Sequence, residues 1–280
     1  MTALSIIVPV QNEAARIVAT SRLLLAGLPQ EAELIFVVNG CSDDSEALLR
    51  RGAGRRARII GSHSGKANAL NAGDAAATKF PRFYIDADVE ITGTSVAALA
   101  ERLRSTGAML ISPRLKQDLA GASRAARAVN RVWMALPHAR SAAFHQVIGV
   151  SAAGRANWGA LPGILADDSY MVAAVPAESR TMADDIVARV RPPWTLRDFV
   201  RVRSRWRTGQ RQLEVMGIAI VYQPDQRAVL LRQLLSPTLA APAVLYVLAV
   251  LVGNLLARIA PTRVDTWYQD QSTRRIERSK

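Results

Sequence analysis

Cysteine is almost absent from this chain of 280 residues, which contains only Cys41. A single cysteine excludes an intramolecular disulfide and any cysteine-rich metal site, and such a composition is typical of a reducing compartment. The first residues also lack the positively charged segment with which a signal peptide begins. We therefore expect a cytoplasmic protein.

Lysine and aromatic residues are scarce as well. Only four of the 36 basic residues are lysine, and aromatic residues make up 5% of the chain. The formal net charge of +13, carried mainly by arginine, predicts an anionic partner and leaves open nucleotide phosphates, an acidic membrane surface and nucleic acid. Because no recognised nucleic-acid-binding motif is present, we expect no nucleic-acid partner.

Buried strands alternate with helices along the first part of the chain. Half of all residues are hydrophobic, which is enough to bury a full core. Apolar runs predict strands at 4–10, 33–38, 57–61 and 82–86, with a helix between each pair. Such alternation indicates right-handed crossovers. The predicted fold class is α/β, with a Rossmann-like, mostly parallel sheet and helices on both of its faces.

An acidic pair follows the last of these strands. Asp86 and Asp88 come directly after the apolar run 83–85, and side chains at positions i and i+2 of an extended segment point the same way. Divalent cations such as Mg²⁺ bind oxygen ligands, often one or two carboxylates together with substrate phosphates. Both aspartates are therefore candidate metal ligands, and an ordinary acidic turn is the alternative. His138 and His145 are interpreted as structural or exposed.

Other polar residues lie at the predicted carboxyl ends of neighbouring strands. Asn12, expected to cap a helix, and Glu13 follow the first strand, Asn39 follows the second, and Lys66 opens the helix after the third. Ligands of open α/β sheets bind at this edge, where the start of a helix also attracts phosphate. A base-recognising amide, a phosphate-binding lysine and two metal ligands together predict a nucleotide site.

Two later segments carry further candidates. Asp167 and Asp168 precede a predicted helix, and one of them is expected to cap it, with two solvated acids as the alternative. Arg203, Arg205 and Trp206 lie in a strongly basic predicted helix. This helix is interpreted as a clamp on a diphosphate or on an anionic membrane, and the alternative is a solvated basic face.

The segment 236–257 contains no charged residue. A membrane span needs roughly 20 apolar residues, so the length permits one. Two prolines and Asn254 interrupt the segment, and arginines on both sides give no orientation by the positive-inside rule. A re-entrant or interfacial helix at the cytoplasmic face of the membrane is therefore favoured over a full span. A helix buried against another subunit is the alternative for a soluble protein.

Taken in order, these stretches resemble the family 2 glycosyltransferases, which are inverting enzymes with the A-type nucleotide-sugar-binding fold. The resemblance covers roughly residues 4–215. Its motifs are the opening strand and loop at 7–13, the base-reading loop at 38–44, the lysine-containing helix start at 65–73, the metal motif Asp86-Ala87-Asp88, the acidic pair Asp167-Asp168 and an arginine–tryptophan motif at 203–209.

The resemblance implies transfer of a hexose from a nucleoside-diphosphate sugar, expected to be a UDP sugar, to a glycan or lipid-type acceptor in the synthesis of cell-envelope polysaccharide or glycolipid. Asp168 is the implied general base, and a divalent cation, Mn²⁺ or Mg²⁺, bound by Asp86 and Asp88 assists the leaving group. The residues expected to bind the donor are Pro9, Glu13, Asn39, Lys66, Asp86, Arg203, Arg205 and Trp206, and those expected to bind the acceptor are Arg155, Trp158 and Asp167.

Three positions depart from the family pattern. Asn39 stands where many members have aspartate, Asp167 where glutamate is commoner, and Val202 where processive polymerases carry glutamine. The last departure favours a single addition. Two rival functions stay open: a sugar-nucleotide nucleotidyltransferase, which would carry a glycine-rich loop in place of residues 11–14, and a non-catalytic basic module that binds a membrane or nucleic acid.

The predicted organisation has two parts. Residues 1–215 are expected to form the catalytic domain, with a nucleotide-binding half at 1–113 and an acceptor-binding half at 114–215. Residues 216–280 are expected to form a C-terminal helical segment that contacts the membrane through 236–257.

Overall fold

The computed structural model describes residues 3–137, 146–218 and 226–259. His138, His145 and the end of the predicted C-terminal segment lie outside them. The strands in these residues are β1 (Ser5–Val10), β2 (Glu33–Asn39), β3 (Ala57–Ser62), β4 (Arg82–Ile85), β5 (Leu110–Gln117), β6 (Val147–Val150) and β7 (Arg180–Val190). The helices are α1 (Ile17–Leu25), α2 (Ser45–Gly52), α3 (Lys66–Ala76), α4 (Gly93–Thr106), α5 (Arg124–Ala135), α6 (Ala152–Arg155), α7 (Asp167–Ala174), α8 (Leu196–Val215), α9 (Gln226–Leu234) and α10 (Ala240–Ile259).

The strands form one sheet with the order β3-β2-β1-β4-β6-β5-β7. The pairs β1–β2, β2–β3, β1–β4 and β5–β7 are parallel, whereas β6 is antiparallel to both β4 and β5. The sheet is therefore mostly parallel, as predicted. β7 is absent from the sequence-based expectation because Asp184 and Asp185 interrupt its apolar pattern.

Helices cover both faces of the sheet. On one face Val8 and Phe36 pack in a core that includes residues of α1, α2 and α4. On the other face Ile7 and Val37 pack with residues of α3 and α7. Every residue of β1 is buried, as expected for a strand covered on both sides. The predicted α/β fold class is confirmed.

The loop after β1 is tied to the loop after β2. Asn12 adopts a left-handed backbone conformation with φ of 52°, and its Oδ1 accepts hydrogen bonds from the N and Oγ of Ser42 at 2.8 and 3.2 Å. The interpretation of Asn12 as a helix cap is therefore wrong, and α1 begins only at Ile17. The side chain instead joins two loops at the carboxyl edge of the sheet.

A third apolar cluster lies beside the sheet, where α5, α8 and α10 meet. It contains Val132 and Trp133 of α5, Phe199 of α8 and Tyr246 of α10. Gly253 lets α10 approach α8 closely, because a Cβ atom at this position would lie only 3.0 Å from the Cβ of Arg203. The C-terminal segment thus shares a core with helices of the predicted acceptor-binding half.

The outer side of α10 is apolar and exposed. Among the described helices only α10 is long and apolar enough to cross a membrane by length and composition, and 28% of its apolar window is buried. Its exposed large side chains include Val244 (49% exposed), Leu248 (53%), Leu251 (58%) and Leu255 (58%). Contact of this helix with a membrane stays a prediction.

Gly73 is expected to be required for the packing of α3 on the sheet. A Cβ atom there would overlap Ile7 Cγ2 and lie 3.0 Å from Val37 Cγ2. We predict that Gly73→Ala lowers the free energy of unfolding by about 1–3 kcal/mol, as overpacking of a core does. Urea denaturation provides the measurement.

Gly61→Ala is the matched control, since a Cβ atom at Gly61 meets nothing within 4 Å. It is expected to change stability by less than about 0.5 kcal/mol. Equal stability of the two variants would contradict the close packing of α3.

Candidate active site

A polar cleft opens at the carboxyl edge of β1, β2 and β4. The structure brings together in it eight of the residues singled out from the sequence: Pro9, Glu13, Asn39, Lys66, Asp86, Asp88, Asp167 and Arg205. They come from both predicted halves of the catalytic domain. The cleft therefore joins groups that are up to about 200 residues apart in the chain.

Asp86 and Asp88 leave the end of β4 on the same side. Between them, Ala87 is buried in the core, and its carbonyl accepts a hydrogen bond of 2.8 Å from Thr20 Oγ1. The backbone N of Asp86 donates to the carbonyl of Gln146 at 3.0 Å. Both carboxylates line the cleft. β4 ends at Ile85, and a turn in which Val89 N donates to the Asp86 carbonyl at 3.1 Å carries the two aspartates, in place of the extended segment that the i, i+2 argument assumes.

Lys66 links the two acidic pairs. Its Nζ lies 2.8 Å from Asp86 Oδ1 and 2.9 Å from Asp167 Oδ2. Burial lowers the pKa of Lys66, but the carboxylates of Asp167, Asp86 and Asp168 outweigh burial, so that its pKa lies above the ordinary value. The ammonium group is therefore charged and fixed between the end of β4 and the start of α7.

Asp167 and Asp168 occupy the first turn of α7. The N-cap residue is Ala166, which makes no side-chain capping bond, so the expectation that one aspartate caps this helix is wrong. Carboxylates in a first turn are stabilised by the helix dipole. Asp167 is only 4% exposed, whereas Asp168 is half-buried and its Oδ1 accepts a hydrogen bond of 2.7 Å from the backbone N of Ser169.

Burial favours the protonated, neutral form of both Asp167 and Asp168. Burial raises the pKa of Asp167 to about 6, with Lys66 opposing and the neighbouring carboxylates adding to the rise. Burial also raises the pKa of Asp168, again against the effect of Lys66. Both carboxylates are thus better proton acceptors than an exposed aspartate.

Helix α8 holds the acidic pair in position. Gln212 Oε1 accepts a hydrogen bond of 2.9 Å from the backbone N of Leu165. A Cβ atom at Gly209 would lie 2.9 Å from the Cβ of Ala166, so α8 lies directly against the residues that precede α7. The same helix carries Arg205 into the cleft.

Arg205 is surrounded by carboxylates. Burial lowers its pKa, and the charges of Asp86, Asp167, Asp88 and Asp168 raise it. The arginine therefore lies within the electrostatic reach of both acidic pairs. With Lys66, it gives the cleft two cationic groups beside four carboxylates.

Arg203 and Trp206 line a second, larger cavity that continues the cleft. The guanidinium carbon of Arg203 lies 5.5 Å from the centroid of the Trp206 ring, within the range of a cation–π contact. Neither residue lines the polar cleft, so the structure does not bring them together with Pro9, Glu13 and Asn39.

Asn39 leaves one hydrogen-bond acceptor at the cleft. Its Nδ2 donates to the carbonyl of Val10 at 3.0 Å, and its Oδ1 is buried with no hydrogen-bond donor among the residues that the structure describes. A buried acceptor without a donor is costly unless a ligand supplies one. The geometry therefore suits recognition of an N–H group.

The structure does not bring Arg155 and Trp158 into either cavity. Arg155 is held by Asp74, whose Oδ2 lies 2.6 Å from Arg155 Nη2, and its guanidinium carbon lies 5.1 Å from the Trp158 ring centroid. Asp74 also binds Arg82 and accepts a hydrogen bond from the Tyr84 hydroxyl at 2.7 Å. The expectation that the two residues bind the acceptor is corrected by this placement, because their side chains are engaged in a structural network.

Several residues of the site escape sequence reasoning. Gln11 and Gln146 line the cleft. Burial and the charge of Arg191 lower the pKa of Arg16, and the carboxylate of Asp88 acts in the opposite direction, so Arg16 lies within electrostatic reach of Asp88. Gln11 lies inside the motif at 7–13, so the sequence could have indicated that it belongs to the site. For Gln146 and Arg16 no sequence pattern does so, because only the folded sheet brings them to this edge.

The residues present fit a divalent cation that is shared with a substrate. Within the described ranges no three histidine, cysteine or acidic residues form a group able to hold a metal alone. Asp86 and Asp88 supply two carboxylates at the cleft, and Mg²⁺ commonly takes one or two carboxylates and completes its shell with phosphates and water. Binding of a cation therefore requires ligands from the substrate.

Residues 5–144 match the sequence model of the family described as Glycosyl transferase family 2. The match spans half of the chain, which therefore belongs to this family and is a glycosyltransferase. Family membership decides against the nucleotidyltransferase and the non-catalytic module. No curated protein matches the chain in sequence.

Solved structures share the fold at low sequence identity. A mannosyltransferase from Pyrobaculum calidifontis, in complex with GDP-mannose and Mn²⁺, superposes with a TM-score of 0.58 at 18% identity over 93% of this chain and 76% of its own. Glucosyl-3-phosphoglycerate synthase from Mycobacterium tuberculosis, with Mn²⁺, UDP-glucose and phosphoglyceric acid, gives 0.56 at 19% identity over 78% of this chain and 80% of its own. The chain therefore has the glycosyltransferase A-type fold.

We predict that Lys66→Met destabilises the protein by about 3 kcal/mol at neutral pH, because it leaves buried carboxylates without a counter-charge. The loss is expected to shrink as the pH falls. The folded-state pKa of Asp167 lies above its unfolded value, so protonation at low pH removes the uncompensated charge. Urea denaturation between pH 5 and pH 8 provides the measurement.

Lys116→Met is the matched control, since Lys116 is exposed on β5. It is expected to change stability by less than about 0.5 kcal/mol at every pH. A loss in Lys66→Met that is independent of pH would show that the lysine does not neutralise the acidic pair.

Proposed function

We propose that this glycosyltransferase moves a sugar with inversion from a nucleoside-diphosphate sugar, a UDP sugar in the first instance, to an acceptor hydroxyl. One observation carries the proposal: the half-buried Asp168 lines the larger cavity, close to where that cavity joins the polar cleft. Lys66 and Arg205 line both spaces, and Asp167, the residue before Asp168, pairs with Lys66. A charged leaving group and an acceptor can therefore occupy opposite sides of one base.

The nucleotide is assigned to the end of the cleft formed by Pro9, Glu13 and Asn39. The buried Oδ1 of Asn39 would accept an N–H from the base, which N3 of uracil offers. N1 of guanine offers the same group, and the preference for uracil rests on the family resemblance. Lys66 and Arg205 would bind the diphosphate as it develops charge.

Asp86 and Asp88 would hold the divalent cation, Mn²⁺ or Mg²⁺. When bound, such a cation neutralises negative charge on the leaving diphosphate. The mannosyltransferase and the glucosyl-3-phosphoglycerate synthase are each in complex with Mn²⁺ and a nucleotide sugar, which supports this assignment. Lys66 pairs with Asp86 Oδ1, so a bound cation would share the Asp86 carboxylate with this lysine.

Asp168 is assigned the role of general base. Asp167 is committed to its ion pair with Lys66, whereas Asp168 lines the larger cavity and has one oxygen, Oδ1, oriented by the Ser169 N–H. The acceptor oxygen would attack the anomeric carbon as the bond to the diphosphate breaks. The electron pair leaves with the diphosphate, and the acceptor proton passes to Asp168 Oδ2. Attack opposite the leaving group inverts the configuration.

Location at the cytoplasmic face of a membrane is part of the proposal. The half-exposed apolar side of α10 would lie in the interface, with Arg207, Arg211 and Arg258 towards anionic headgroups. The same helix packs on α8 with its other side. Membrane contact would therefore leave the active site on the protein side of the helix.

We predict that Asp168→Asn lowers the rate of sugar transfer by about a hundredfold to ten-thousandfold, the usual contribution of a general base. Binding of UDP is expected to change less than twofold, because Asp168 lies beyond the polar cleft. Initial rates of nucleoside diphosphate release, with a panel of nucleotide sugars, and calorimetric titration with UDP provide the two readouts.

The matched control is Asp184→Asn, an exposed position on β7 that should leave both readouts unchanged. A variant Asp168→Asn that transfers sugar at the wild-type rate would remove the assignment of the base.

We predict that UDP binding requires Mn²⁺ and is weakened at least about tenfold by Asp88→Ala. The diphosphate would supply oxygen ligands to the cation, and the cation would neutralise the charge of the diphosphate. Calorimetric titration with UDP, first with Mn²⁺ and then with EDTA, tests this. Asp184→Ala is the control with unchanged affinity. If the wild type binds neither UDP, GDP nor dTDP, the proposed donor site is wrong.

A further inference from the structure

The larger cavity, of about 240 Å³, continues the polar cleft beyond the catalytic aspartates. Lys66, Asp86 and Arg205 line both spaces. Asn39 lines only the cleft, and Asp168 lines only the cavity. A path that starts at Asn39 in the cleft therefore passes the ion pairs of Lys66 and leads into the cavity that Asp168 lines. On the proposed function, this cavity faces the acceptor.

The lining of the cavity is mixed: about half of its residues are polar or charged, and the rest form an aromatic and aliphatic part of the wall. Trp133 and Trp206 face each other with ring centroids 5.9 Å apart, and Phe199 and Tyr246 form an edge-to-face pair at 6.2 Å. These rings come from α5, α8 and α10 and belong to one packed cluster. Val202, which is 7% exposed, completes the wall on α8. Such a lining suits an amphipathic ligand whose apolar part lies against the rings and whose polar part lies near the charged groups.

The cavity leads towards the seam between α8 and α10. Arg203 and Gln210 line the cavity and also a basic opening on the outside of the molecule. Arg207, Arg211 and Arg258 surround that opening. It adjoins α10, whose outer side is exposed and apolar. A chain that leaves the cavity here would reach a basic and apolar surface of the kind that an anionic membrane covers.

We propose that the cavity binds the hydrocarbon chain of an amphipathic, lipid-type acceptor, whose hydroxyl lies at Asp168. This proposal rests on the proposed function and names its acceptor class. A bare sugar would leave the apolar part of the wall exposed to water, whereas a hydrocarbon chain buries it. The basic opening accounts for a chain that continues out of the cavity towards a membrane.

Alkyl glucosides that differ only in chain length test the inference. Methyl, hexyl and octyl β-glucoside share one headgroup, and each is titrated below its micelle concentration while tryptophan fluorescence is recorded. The affinity is expected to rise about fourfold for each methylene that enters the cavity. The binding readout needs no donor, so it is independent of sugar transfer.

Val202→Phe locates the binding. The added ring would fill the cavity, so octyl glucoside should bind at least about tenfold more weakly, with UDP binding retained. Val215→Phe is the matched control on the same helix, since Val215 is 89% exposed. Should Val202→Phe fail to fold, the chain-length series of the wild type and the variant Leu115→Phe, on the β5 wall, provide the same test.

Three outcomes overturn the inference. Equal affinity for methyl and octyl glucoside indicates a sugar acceptor, and undiminished binding to Val202→Phe places the alkyl chain on the outer side of α10. In both cases, if the wild-type protein still binds UDP, only the inference about the acceptor is overturned and the proposed function stands. Chain-length dependence without binding of any nucleotide would remove the proposed function and, with it, the assignment as an acceptor site.

Discussion

The ion pairs of Lys66 are the interaction on which the candidate active site depends. One ammonium group lies within 2.9 Å of carboxylates on Asp86 and Asp167, and so joins the end of a central strand to the start of α7. Burying an ion pair is costly, and replacing it by apolar residues often preserves stability. On the proposed function, the ion pair fixes Asp167 and thereby holds the adjacent Asp168 beside the site proposed for the diphosphate.

Helix α8 divides the space around this ion pair. Gly209 lets the helix lie against Ala166, so that Arg205 reaches the polar cleft while Trp206 lines the larger cavity. Arg205 and Trp206, which are adjacent in α8, thus supply a charged group and an apolar group to the candidate site. Helix α10 packs on α8 through Gly253 and lines the cavity with Tyr246, while its outer side is exposed.

The sequence by itself determined the nucleotide-binding half. Strands buried on both faces must be continuously apolar, so β1, β2 and β4 were readable from local composition. The carboxyl ends of parallel strands share one edge, so the meeting of Asn39, Lys66 and Asp86 followed from topology. The presence of Asp86 and Asp88 at that edge followed from their position directly after β4, whereas the turn that carries them is seen only in the structure.

Tertiary structure alone decided the rest of the site. β7 was hidden because its apolar pattern is interrupted, and the sequence around Trp158 does not show that this residue is buried in the core or that Asp74 holds the nearby Arg155. The pairing of Lys66 with Asp167 joins residues about 100 positions apart. The larger cavity arises only when three helices pack together. These contacts depend on how segments that are far apart in the sequence pack together, and local sequence patterns do not specify that packing.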